Sequence, residues 1–172
     1  MTTTDQPESQ IPESQIVELL RAVETQLHES EIGFQLDKAR LYGATVNLSS
    51  AKSADDDSQT PGFRLCFLDA HCDIYELLDR PSSAVARVFD AAVIVTTGWA
   101  TPVESLVGMQ RRRVRLVVVV CDDGVASALR FVDAADQVLI DEGTATGALN
   151  DAVDHFWFKG NNSEGATVAI TP

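Results

Sequence analysis

The chain has 172 residues, 45% of them hydrophobic, which is the size and apolar content of one domain with a real core. Twenty-six acidic residues against 13 basic ones give a formal net charge of −13, which repels free nucleic acid and anionic membrane surfaces. No apolar run approaches the roughly 18 residues that a membrane-spanning helix requires.

Three cysteines, Cys66, Cys72 and Cys121, are odd in number and match no disulfide or zinc spacing. Reduced thiols in a cytoplasmic protein without a cofactor are the expectation. The first residues show no basic segment followed by an apolar one, so no secretory signal is expected.

Residues 1–12 are polar and acidic and read as a disordered tail. A tandem Pro-Glu-Ser-Gln-Ile at 7–11 and 12–16 is too short to be a structural repeat. A first helix is expected over 13–30, because Ile16, Leu20, Val23 and Leu27 share one helical face. Gly33 ends it. Residues 40–48 alternate, with Tyr42, Ala44, Val46 and Leu48 on one side, and predict a strand. The Asp55–Asp57 segment is a solvated loop closing at Pro61-Gly62. A second strand runs over Phe63–Leu68. Asp73, three residues before Glu76, caps a short helix that Pro81 stops, with another turn or two over 82–89.

Ala91–Thr97 is β-branched and predicts a buried strand. Thr101-Pro102-Val103-Glu104 opens a short helix to about residue 109. Val114–Cys121 is the strongest strand of the chain. Asp122-Asp123-Gly124 predicts a tight turn, and Val125–Phe131 returns as a strand, with a helix from 125 as the competing assignment. A final helix over 146–158 turns Leu149, Val153, Phe156 and Trp157 inward. Residues 159–172 read as a loose end or an edge strand at 167–170.

The expected fold is therefore α+β: one domain over 13–158, in the order α-β-β-α-β-α-β-β-α. Its sheet is largely antiparallel, with about five strands and flanking helices. The order resembles that of small α-β-sandwich domains of the roadblock-like and sensor types, in element order alone.

The most conspicuous local feature is Arg111-Arg112-Arg113-Val114-Arg115, which puts four of the 13 basic residues at the mouth of one apolar strand. Strand alternation turns Arg113 and Arg115 one way and Arg112 the other. Guanidinium groups favour paired contacts with carboxylates or phosphates. Pairing with carboxylates of this acidic chain, such as Asp55–Asp57, or of a second copy is the first expectation. A bound anion is the alternative.

Asp69-Ala70-His71-Cys72-Asp73 follows a strand and carries metal-ligand and nucleophile types. Asp69, His71 and Cys72, with Asp122 as a distant metal ligand, would suit a metal-dependent hydrolase. Zinc deaminase chemistry is excluded, because His71 is followed by Asp73 where a Glu is needed and no Cys-x-x-Cys exists. Gly143–Gly147 lacks the endings of phosphate-binding loops, and a helix cap by Thr144 or Thr146 accounts for it. Trp99 lies beyond a strand end, where packing over the core is the plainer expectation and a partner contact the other.

The resulting functional expectation is a non-catalytic protein acting through protein contacts or self-association, with Arg112, Arg113, Arg115 and Trp99 as contact candidates. The alternatives are the hydrolase above and, more weakly, an acidic mimic of nucleic acid.

Overall fold

The computed structural model describes residues 15–30, 36–47, 62–100, 111–142 and 148–159. The acidic tail, the Asp55–Asp57 loop, the helix expected at 101–109, the segment 143–147 and the C-terminal edge strand lie outside the described residues.

Helix α1 (Gln15–Glu29) is followed by β1 (Ala39–Asn47) and β2 (Gly62–His71). Two short helices, α2 (Ile74–Asp79) and α3 (Pro81–Ala86), lead to β3 (Ala91–Ala100). Then come β4 (Arg112–Cys121), β5 (Gly124–Phe131) and β6 (Ala134–Glu142), and last α4 (Ala148–Asp154), which widens into a π-helical turn at His155–Lys159. The six strands form one antiparallel sheet in the order β2-β1-β3-β4-β5-β6. The fold is α+β, with one strand more than the sequence pattern suggests.

The additional strand is β6. Its turn, Val132-Asp133, contains no Gly, Pro or Asn, and the β5–β6 register is irregular between Arg130 and Phe131. The Asn-Gly or Asp-Gly pair that marks a two-residue hairpin is therefore missing, and Asp133 alone is a weak signal. The preceding turn behaves as its sequence predicts. Gly124 adopts φ +136°, a conformation that L side chains rarely take, and β5 pairs with β4 from Cys121↔Gly124 onward. The competing helix from 125 is not formed.

The sheet separates two apolar cores. On one face α1 lays Ile16, Leu20, Val23 and Leu27 over Val93, Val95, Val117 and Val119. On the other, α2, α3 and α4 bring Leu77, Ala86, Val153 and Trp157 against Ile94, Val118 and Val120. Strands covered on both faces read as continuous Val/Ile/Ala runs, which is how β3 and β4 look. Asp73 caps α2, its Oδ1 accepting from the N–H groups of Tyr75 (2.8 Å) and Glu76 (3.3 Å).

A bulge in β2 decides which face its C-terminal end serves. Tyr42 lies opposite Phe67 and Leu41 opposite Asp69, so Leu68 is the extra residue. Phe63, Leu65 and Phe67 therefore share the α1 face with Tyr42, whose ring meets that of Phe67 edge-on at 5.6 Å. Beyond the bulge Asp69 and His71 turn to the opposite face, toward α2 and α3. A bulge on an edge strand also discourages pairing with another sheet.

Gly43, in β1, is fixed by sterics. A Cβ built there would collide with Phe89 Cδ2 and Cγ, near the root of the ring. Gly43→Ala is expected to destabilise the fold by about 1–3 kcal/mol through overpacking, read by chemical denaturation. Gly98→Ala, where nothing stands within 4 Å of the new Cβ, serves as the neutral control.

Candidate functional site

The arginine-rich entry to β4 divides into three environments. Arg115 is fully buried on the α1 face, beside Val117 and Val119. Its guanidinium pairs with Glu24, which is 2% exposed on the inner side of α1. Arg130 of β5, directly opposite Arg115 across the sheet, grips the same carboxylate: its Nε donates to Glu24 Oε1 at 2.7 Å and its Nη2 to Oε2. Arg130 Nη1 also donates to the Ala135 carbonyl in β6. One carboxylate thus ties α1 to β4, β5 and the start of β6.

Burial alone would raise the Glu24 pKa, but hydrogen bonds from Arg130 and Arg115 and their positive charge outweigh it and hold the carboxyl below its ordinary range. Burial, followed by the charges of Arg130 and Arg115, lowers the pKa of nearby His28.

Arg112 points to the other face and is held by Asp133 of the β5–β6 turn, through Nε at 2.8 and 3.0 Å and Nη2 at 2.5 Å. Its guanidinium also lies 4.0 Å from the centroid of the Phe131 ring. The sequence directs the arginines to internal carboxylates, which these two find. The carboxylates belong to α1 and a turn, whereas Asp55–Asp57 lie outside the described residues.

Arg113 is exposed, directly opposite Trp99 in the β3–β4 ladder. Trp99 is 68% exposed, so it does not pack over the core as expected. The reason lies one rung back. Thr97, opposite Arg115, donates through Oγ1 to the Leu36 carbonyl at 3.3 Å. That contact covers the rung of Thr97, and the next rung projects beyond it.

The Asp69–Asp73 segment is built into the fold. Asp69 Oδ2 accepts from Arg80 Nε (2.7 Å) and Ser82 Oγ (2.8 Å), and Oδ1 from the Ala70 N–H (2.8 Å). Ser82 and then Arg80 hold its carboxyl below the usual carboxylate range. It pins the α2–α3 junction to the sheet. His71 Nδ1 accepts from the Asp73 N–H at 3.1 Å, and Nε2 lies 3.4 Å from Glu76 Oε2. Cys72 is exposed.

Asp122 is elsewhere. Asp69 is level with Val118 across three strand spacings, about 14 Å, and Asp122 lies four residues further along the chain, just past the end of β4. It accepts instead from Trp157 Nε1 at 3.1 Å. Among the described residues no three His, Cys, Asp or Glu side chains converge as metal ligands.

At the opposite end of β3 and β4 from Trp99 lies a cleft of about 340 Å³. Its floor is apolar, from Ile16, Leu19, Val46 and Ala91, with Cys121 beside them. Glu18, Asp90, Asp122 and Asp123 also line it, with Asp90 Oδ2 accepting from the Val46 N–H at 2.8 Å and Asp122 from Trp157. Burial raises the Cys121 pKa and the neighbouring aspartates add to the effect, so its thiol is kept protonated.

No protein-family model, curated protein or solved structure matches this chain. No helix among the described residues is long and apolar enough to cross a membrane.

Glu24→Ala leaves two buried guanidinium groups without their carboxylate and is expected to cost about 3–5 kcal/mol, measured by denaturant unfolding. Acid should also act through this site. Both Glu24 and His28 have folded pKa values below their ordinary ones, so the unfolded chain binds more protons as pH falls. Stability is expected to decline first below about 6.5, through His28, and again below about 4.3, through Glu24. The second decline should be flattened in Glu24→Gln, with denaturant midpoints followed against pH.

Proposed function

We propose that the protein is a non-catalytic interaction domain that binds an acidic protein surface through the Trp99–Arg113 corner. The observation that carries this is the pair itself: a tryptophan 68% exposed beside an exposed arginine on adjoining strands. Trp and Arg are the residue types most enriched where a few side chains dominate binding. The β3–β4 ladder continues to Ala100↔Arg112, so both backbones are already ordered and binding loses little conformational freedom.

Support also comes from the polar groups elsewhere. Arg115 and Arg130 are bound by Glu24, Arg112 by Asp133, and Asp69 by Arg80 and Ser82. These contacts have structural roles. Arg113 adds positive charge beside an apolar indole, which suits a partner presenting carboxylates around an apolar depression. A cytoplasmic setting, where the free thiols of Cys66 and Cys72 stay reduced, belongs to the same proposal.

A photo-crosslinking amino acid at position 99, expressed in the native cell, is expected to give discrete protein adducts. The same group at Val88, 84% exposed, is the control and should not. Adducts that are absent at 99, or equal at both positions, would overturn the proposal.

A further inference from the structure

The exposed corner and the cleft occupy opposite ends of the same two strands. Ala91 lines the cleft and Trp99 stands eight residues along β3, about 27 Å away. One end offers an indole with Arg113 beside it. The other offers an apolar floor within a rim of Glu18, Asp90, Asp122 and Asp123. At about 340 Å³ the cleft has the size of a small-ligand pocket, with room for one aromatic side chain.

We infer that the partner is a second copy of this chain, docked head to tail. Trp99 of one copy enters the cleft of the next, and Arg113 meets its acidic rim. This rests on the interaction reading above and names its partner.

Charge complementarity selects this arrangement over the symmetric ones. Corner against corner would oppose Arg113 with Arg113, and cleft against cleft would oppose two sets of carboxylates. The net charge of −13 does not forbid it, because at physiological salt charges more than about 8 Å apart are largely screened. The groups in contact then decide. Two different surfaces in contact make a heterologous interface, which grows into a ring or an open filament instead of stopping at two.

Sedimentation velocity of the full chain at physiological salt tests this. The mass-average species is expected to grow with concentration past a dimer. Trp99→Ala with Arg113→Ala removes the corner. Glu18→Lys with Asp123→Lys cancels the negative charge of the rim and spares Asp122, which holds Trp157. Each double variant, with its fold checked by circular dichroism, should associate at least about 30-fold more weakly than the parent.

Mixed in equal amounts, the two variants should form a dimer and nothing larger, since one intact corner meets one intact cleft. A parent that stays monomeric, a mixture that stays monomeric, or loss of association in only one variant would overturn the inference. Adducts at position 99 to a different protein, with a monomeric parent, would leave the interaction reading standing and remove the second copy from it.

Discussion

Glu24 carries the connection between the helix and the sheet. A lone carboxylate under a helix would be costly to bury, and so would Arg115, which has no exposed surface at all. Each is tolerable only because the other is present, and Arg130 adds a second guanidinium on the same carboxylate. Apolar side chains would give comparable adhesion without the desolvation penalty. What the ionic contact adds is position: α1 can slide along valines at little cost, but Glu24 has one place where both arginines reach it. The same contact also reaches β6 through Arg130 and the Ala135 carbonyl, so it anchors the strand whose own turn is weakly specified.

The other ion pairs repeat this division of labour with less burial. Asp133, at the turn before β6, is clamped by Arg112. Asp69, rotated by the β2 bulge to the α2–α3 side, holds the junction where Arg80 leads into Pro81. Both pairs fix places where the backbone has no regular ladder to guide it. The exposed pairs contribute little energy individually, and their effect is on geometry. Arg113 stands apart from Arg112 and Arg115 on its own strand because it is exposed beside an exposed indole.

Much of the fold is legible in sequence because its signals are local. The 4-3-4 spacing of Ile16, Leu20, Val23 and Leu27 marks the inner face of α1, and Gly124 marks the β4–β5 turn. The contact of Glu24 with Arg115 and Arg130 is harder to see because the two arginines lie 91 and 106 positions from it. A trace exists nonetheless. Glu24 falls four residues after Leu20 and three before Leu27, on the apolar stripe itself. Arg115 shares parity with Val117 and Val119, and Arg130 with Ala126 and Ala128. Opposite charges at inward positions of a helix and two strands are the signature of a buried pair. The bulge at Leu68 leaves no comparable trace, because Leu-Asp-Ala-His reads equally well with either residue facing in. The cleft is also invisible in sequence, since helix, β1, β3 and a hairpin turn meet there only in three dimensions.

The arginine cluster shows how a shared local pattern yields opposite fates. Arg113 and Arg115 lie on the same face of the same strand, two residues apart. The rung Thr97–Arg115 is covered, by Glu24 on one side and by the Leu36 carbonyl on the other. The rung Trp99–Arg113 is the next one out and has neither cover. The boundary between the buried arginine and the exposed one is thus set, among the described residues, by where the layer over the sheet stops. An indole and a guanidinium on the first uncovered rung inherit the rigidity of the core beneath them. That rigidity is what the proposed docking at this corner draws on, since ordered side chains lose little freedom on binding.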